Sequence, residues 1–461
     1  MSELLFGSAT ETADLLRRRR VSSRELTAQL LSHITAVNPT LGAVVELRHD
    51  EALREAIEAD EALARGGDVG PLQGIPMTVK ESFAVAGMHS TWGNRAFADH
   101  VSTGDATAVG RLRRAGAIVV GTTNVHEMLA DFGQTANEVY GRTNNPWDTS
   151  RSPGGSTGGG AAALSAGMTF LEYGSDLVGS IRIPASFCGV YGLKPTAGTV
   201  SVAGFQPPGP RAPESELAYL STIGPLARTA GDLRTALRAT AGSEGYAGRP
   251  GTWELAPPRR SRLEDHRVGI VLDHSSAPVA SDVGAVLSDT ADALAKAGVT
   301  IIEGWPTDVD PVASAESFGF QVGLFFAFQG QGGADLPMSQ VIEQERRRMA
   351  TRAAWGRHFR DVDVFLCPTT FTTAFPHDDR PLGVRTITTP EGERPYDAQP
   401  FWISHASLAG LPAVSAPVGS TAGRLPVGIQ VVGPLHEDDT AITFSELMAD
   451  VVGGYTRPPS P

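Results

Sequence analysis

Apolar residues recur at helical spacing through the first part of the chain and then give way to short, unbroken apolar runs. RELTAQLLSHITAV (24–37) places its leucines, Ile34 and Val37 along one helical stripe, and Ser22 and Glu25 have the spacing of a capping box at its start. EALREAIEADEALARGG (51–67) predicts a second helix, closed by the pair Gly66-Gly67. The run GIPMTVK (74–80) then reads as a strand ending on Lys80. Asp105 is expected to cap a helix through GRLRRAGA, with Gly116 stopping it before the strand AIVVG (117–121).

The middle is glycine-rich. SPGGSTGGGAAALSAG (152–167) predicts a loop running into a short helix that Gly167 closes. MTFLEY (168–173) reads as a buried strand, and GSDLVGS (174–180) as a tight turn before IRIPASF. Residues 242–262, rich in Gly, Pro and Arg, read as a surface excursion, and 266–306 as a strand–helix–strand unit. DVFLCPTT, PAVSAPVG and LPVGIQVVGP predict strands, and EDDTAITFSELMADVV a closing helix. Helices alternating with apolar strands predict a sheet covered on both faces, within one α/β domain spanning 1–461.

Composition narrows the partners. The 461 residues are 41% hydrophobic and 19% charged, with a formal charge of −13, which argues against a nucleic-acid or anionic membrane partner. The basic run Arg17–Arg20 reads as a solvated helix face. Cys188 and Cys367 stand alone in apolar surroundings and read as reduced core thiols, which fits a cytoplasmic enzyme. No run is long enough for a membrane span, and the first residues lack the pattern of a signal peptide. His126-Glu127 lacks the second histidine of a zinc motif and His377-Asp378-Asp379 reads as a loop, so neither a metal nor a cofactor is expected.

Candidate chemistry begins with lysine usage. Of 38 basic residues only Lys80, Lys194 and Lys296 are lysines. In a chain that otherwise uses arginine, a lysine in an apolar strand suggests a group that must lose its proton, which a guanidinium does not do. Lys296 lies on a polar-faced helix and Lys194 reads as a structural ion pair, which leaves Lys80. Ser156 and Thr157 sit between Gly155 and Gly158, where tight backbone lets hydroxyls project. Ser180 follows consecutive peptide N–H groups that can converge on an oxyanion. The loop lacks the GxxxxGK[ST] of a phosphate site, and no GxSxG elbow surrounds Ser180.

These segments resemble the amidase signature family along almost the whole chain. GPLQGIPMTVKESFAVAGM is similar to the family's segment around its catalytic lysine, placing that residue at Lys80. SPGGSTGGGAA resembles its Gly-Ser loop and GSDLVGSIRIPASFCGVYGLKPT its nucleophile segment, with the nucleophile at Ser180. GPLART, LAGLPAVSAPVG and LPVGIQVVGP match later blocks. The resemblance implies a single α/β domain with a mixed sheet of about eleven strands. It implies an amide hydrolase with a Lys80–Thr157–Ser180 relay, and an oxyanion hole from the N–H groups of Leu177, Val178, Gly179 and Ser180. Gly155, Ser156, Gly158, Asp176 and Arg182 match its supporting positions. The sequence departs from the pattern in having Thr157 where the family has a bridging serine, whose cis peptide would fall at Ser156–Thr157, and Val178 where it has glycine.

Trp92, Met128, Phe132, Phe401 and Trp402 fall in segments that border the family's acyl pocket, so a small amide with an apolar or aromatic acyl group is expected. His405 and Ser407 read as loop contacts. A homodimer is compatible with the sequence. Two other functions use the same residues: an acyl or amide-forming transferase, and a catalytically impaired binding protein suggested by Thr157 and Val178. An amidotransferase component that works on charged tRNA fits the acidic charge less well.

Overall fold

The computed structural model describes residues 3–67, 69–208, 220–242, 253–328 and 336–459. Its strands are β1 (Val44–Leu47), β2 (Pro76–Lys80), β3 (Ile118–Thr123), a short hairpin of β4 (Ala136–Asn137) and β5 (Gly141–Arg142), β6 (Glu172–Asp176), β7 (Tyr191–Lys194), β8 (Thr222–Ala227), β9 (Arg267–Ile270), β10 (Thr300–Glu303), β11 (Val364–Pro368), a second hairpin of β12 (Thr386–Thr389) and β13 (Gly392–Pro395), β14 (Ala413–Ser420) and β15 (Pro426–Val432). Eleven of them form one sheet in the order β1-β3-β2-β6-β8-β7-β14-β15-β11-β9-β10. The sheet is mixed. β3, β2 and β6 run parallel, as do β11, β9 and β10, and the strands between are antiparallel.

The parallel trio explains the apolar runs. Every residue of β2, β3 and β6 is buried, because a parallel strand inside an α/β sheet has helices over both faces. The outer helices bury one stripe only. In His49–Arg65 the buried residues are Ala52, Ala56, Ala59 and Leu63, at intervals of three and four. The helices Gly158–Ser165 and Arg182–Cys188 are buried all round. Among the described residues no helix is long and apolar enough to cross a membrane.

The Ser22 cap, the Gly66 helix end, the strand–helix–strand unit and the closing helix all form where the pattern puts them. Three expectations are corrected. Asp105 does not cap the helix Thr107–Arg114, since its carboxylate accepts from the Ala86 N–H at 2.9 Å and pairs with Arg113 at 3.1 Å. MTFLEY is not a strand through 168–171. Thr169 accepts from the Thr78 N–H and donates to the Leu171 carbonyl, which makes this stretch an irregular lead-in. The strand starts at Glu172 and takes in Gly174-Ser175-Asp176, expected as a turn. Of the 242–262 excursion, 243–252 lie outside the described residues. The remainder is tied down by Arg259, which bonds Glu437 and the carbonyls of Phe359 and Val362.

Candidate active site

Lys80 ends β2 and Asp176 ends the parallel neighbour β6, so two candidate side chains leave the sheet at the carboxyl ends of adjacent strands. The Gly-Ser loop arrives at the same edge. Its approach depends on missing side chains. A Cβ on Gly155 would stand 2.0 Å from the Gln134 carbonyl oxygen, and one on Gly159 would stand 2.4 Å from the Asn124 nitrogen. The Gly155 N–H donates to the Phe132 carbonyl at 2.9 Å, and the Thr157 N–H to the Ser180 carbonyl at 3.2 Å. The loop is thereby fastened to the Ser180 segment.

Lys80 is wholly buried, and its Nζ has three hydrogen-bond partners, all hydroxyls: Ser156 Oγ at 2.8 Å, Thr157 Oγ1 at 2.9 Å and Ser175 Oγ at 2.9 Å. Burial draws the Lys80 ammonium down to about 7, against the opposing pull of Asp176 and Glu172. That displacement corresponds to roughly 5 kcal/mol against the charged form. The strand alone predicts a desolvated lysine. Its three-hydroxyl setting is not visible in the sequence, because Ser175 lies in a stretch expected to turn.

The cis peptide lies at Gly155–Ser156, one residue ahead of the expected Ser156–Thr157 bond. The loop reverses where Gly154 and Gly155 are pressed against neighbouring backbone, and Thr157 is already the N-cap position of the helix Gly158–Ser165. The two hydroxyls therefore differ in setting. Ser156 Oγ has Lys80 as its only hydrogen-bond partner among the described residues. Thr157 packs against strand β6, where a Cβ on Gly174 would stand 2.6 Å from Thr157 Cγ2. Its hydroxyl also reaches the Ser175 carbonyl at 3.4 Å.

Ser180 sits after a turn organised by Asp176. The Asp176 carboxylate accepts from the N–H groups of Gly179 at 2.9 Å and Ile181 at 3.2 Å, and pairs with Arg182 at 2.8 Å. Burial opposes ionisation of Asp176, but the Arg182 guanidinium outweighs it and holds the carboxyl below its usual range. Arg182 in turn donates to the Ile403 carbonyl, to Gln430 at 2.6 Å and to Ser407 at 2.7 Å. Ser407 and His405 are thus not in a loop but on the buried helix Pro400–Ala409. Of the four N–H groups expected to hold an oxyanion, that of Gly179 is occupied by Asp176. Those of Leu177, Val178 and Ser180 have no protein acceptor among the described residues.

The expected pocket residues separate. Phe132 is half-buried beside the loop through the Gly155 bond, and its ring stacks on Tyr396 at 5.3 Å. Trp92 and Met128 are joined by a backbone bond of 2.7 Å, and the Trp92 ring lies 5.0 Å from Phe205. Phe401 stacks on His274 at 5.1 Å. Trp402 is fully enclosed, with its indole N–H on the Ala277 carbonyl at 3.1 Å, and is core packing. Half-buried Phe132 and Val178 both pack against an apolar cluster that contains Phe375, Tyr396 and Ile403. Asp131 carries no signal in the sequence. It accepts from Tyr396 Oη at 2.6 Å and Arg385 at 2.5 Å, and so ties the Phe132 loop to the β12–β13 region.

Comparisons with known proteins bear on the family and the fold. The profile of the Amidase family matches residues 25–331 and 331–442. The chain is 33% identical to a component of the glutamyl-tRNA(Gln) amidotransferase of Moorella thermoacetica, over 94% of this chain and 93% of that protein. Among solved structures it resembles an inhibitor-bound vestigial protein complex that reveals the evolutionary origins of an s-triazine catabolic enzyme. The TM-score is 0.82 at 25% identity, covering 98% of this chain and all of that one. It also resembles 6-aminohexanoate cyclic dimer hydrolase complexed with substrate, with a TM-score of 0.78 at 25% identity over 99% of each chain.

Proposed function

The chain belongs to the amidase signature family and acts on amides, and from that premise we propose that it hydrolyses small carboxylic amides through an acyl-enzyme on Ser180. The observation that carries this reading is the setting of Lys80, a wholly buried amine whose three partners are all hydroxyls. A lysine held this way is neutral in part near pH 7 and offers a lone pair to a neighbouring O–H.

In the proposed sequence neutral Lys80 takes a proton from Ser156, which takes one from Ser180 as Ser180 Oγ attacks the amide carbonyl. We assign the relay to Ser156 rather than Thr157, because the Ser156 hydroxyl is committed to Lys80 alone. Thr157 then serves to hold the lysine and to start the helix behind it. The free N–H groups of Leu177, Val178 and Ser180 are the donors for the oxyanion. Each such donor contributes about 3–4 kcal/mol in sites of this type. Ser156 returns the proton to the leaving amine, and water then releases the acyl group from Ser180.

Half-buried Phe132 and Val178, continuous with an apolar cluster, support an apolar or aromatic acyl group. We read the chain as self-sufficient, alone or as a homodimer, and as suited to the reducing cytoplasm, in keeping with free, buried Cys188 and Cys367. A second reading, that it works as one component of an amidotransferase, is favoured by the name of its 33% identical relative. The test is to present primary amides, anilides and esters to the isolated chain and to label it with a fluorophosphonate. Turnover of a simple amide, with an adduct at Ser180, supports the self-sufficient hydrolase. Turnover only after addition of a partner protein supports the second reading, and no adduct under any condition overturns both.

A further inference from the structure

One buried carboxyl beside the site has no place in this scheme. Glu172 opens β6, fully enclosed, and pairs in register with Thr78 of β2. Thr78 and Lys80 are two apart on that strand and so share a face. The Glu172 carboxyl is held by the Thr78 hydroxyl at 2.5 Å and the Thr123 hydroxyl at 2.8 Å, with no direct cation among the described residues. Room for it exists only because Gly160 lacks a side chain, since a Cβ there would lie 2.4 Å from Glu172 Cγ and 2.8 Å from Oε1.

We propose that Glu172 is a positioning residue that sets the proton affinity of Lys80 through space, without touching it. Isolated charges in a protein interior are expensive unless balanced. Among the described residues the charged groups facing Lys80 are Glu172 and Asp176, both on β6. Asp176 is neutralised directly by Arg182 of the helix Arg182–Cys188, and the Gly-Ser loop and β3 present hydroxyls. Of the two carboxyls facing Lys80, Glu172 is therefore the one with no cation of its own, and its ionised form is the counter-charge open to a protonated Lys80. Burial pushes its own carboxyl up, while the Thr78 and Thr123 hydroxyls and then Lys80 pull it back, so the proton affinities of the two groups are coupled. Threonine hydroxyls suit either state, because each can donate to a carboxylate or accept from a carboxylic acid.

This inference rests on the reading of Lys80 as the base. The test is the pH dependence of Ser180 labelling by a fluorophosphonate in Glu172→Gln, with Glu172→Ala as a second variant in case the amide disturbs folding. Thermal melts establish that each is folded. Without the carboxylate the ammonium is less stabilised, so the acid limb should lie about one pH unit or more lower. A loss of packing alone would lower the rate without moving that limb. An unmoved or raised limb in the folded variants, with Lys80→Ala unreactive, overturns the role of Glu172 only. A Lys80→Ala protein that keeps the parental profile overturns the base and this inference together.

Discussion

Ser156 Oγ lies 2.8 Å from Lys80 Nζ and holds no second hydrogen bond among the described residues, whereas Thr157 Oγ1, at 2.9 Å from the same nitrogen, also reaches the Ser175 carbonyl. Two adjacent hydroxyls thus compete for one role, and their environments separate them. Ser156→Ala should lower Ser180 acylation by about 10²–10⁴-fold, the usual size of a lost proton-transfer group. Thr157→Ser should stay close to the parent, and Thr157→Val should lose less than Ser156→Ala. Acylation rates with a chromogenic ester and an amide check the order, and the reverse ranking would return the relay to Thr157.

The buried amine gives a signed pH dependence. Below about pH 7 Lys80 is protonated and has no lone pair, so kcat/KM should fall tenfold per pH unit on the acid side and level off above it. Lys80→Arg keeps the positive charge, cannot lose it, and should be as inactive as Lys80→Ala. Substantial turnover by the arginine variant would remove Lys80 from the base role.

The pair Asp176–Arg182 is fully enclosed on both sides. Asp176→Asn would leave the guanidinium without its counter-ion and should destabilise the fold by about 3–5 kcal/mol. It would also weaken the hold on the Gly179 and Ile181 N–H groups that shapes the turn before Ser180. Chemical denaturation measures the first effect. Activity lost at denaturant concentrations where the fold is intact measures the second.

Gly160→Ala tests the tight seat of the helix Gly158–Ser165. The added methyl would meet Glu172 Cγ at 2.4 Å, and overpacking of this kind typically costs about 1–3 kcal/mol. The melting temperature should fall, and combining the substitution with Glu172→Ala should restore part of it. Equal loss with and without the second change would show that Glu172 is not what the methyl meets.

The legible parts are those in which chemistry and backbone rule coincide locally. Lys80 stands out as a lysine in an apolar strand, and GSDLVGSIR carries Asp176, Ser180 and Arg182 together. What escapes is long-range. Glycine and serine in Gly174-Ser175-Asp176 read as a turn, but β8 pairs with this stretch and holds it extended. Asp105 has the composition of a cap, yet the Ala86 N–H and Arg113 compete for its carboxylate and win. The resemblance put the relay at Thr157, but Ser156 beside it also carries a hydroxyl, and which of the two turns down against Gly174 is set by the fold and not by residue type.

Arg182 stands two residues after Ser180, but its anchors, Ile403, Ser407 and Gln430, come 221, 225 and 248 residues later in the chain. During synthesis the lysine, the serines and the turn that carries them are made early, with Asp176 in place for Arg182 but these three later partners still missing. A nascent chain should therefore remain catalytically silent until β15 has left the ribosome and docked. Under the proposed function, a reactive Ser180 would thus become available only when nearly the whole chain is in place.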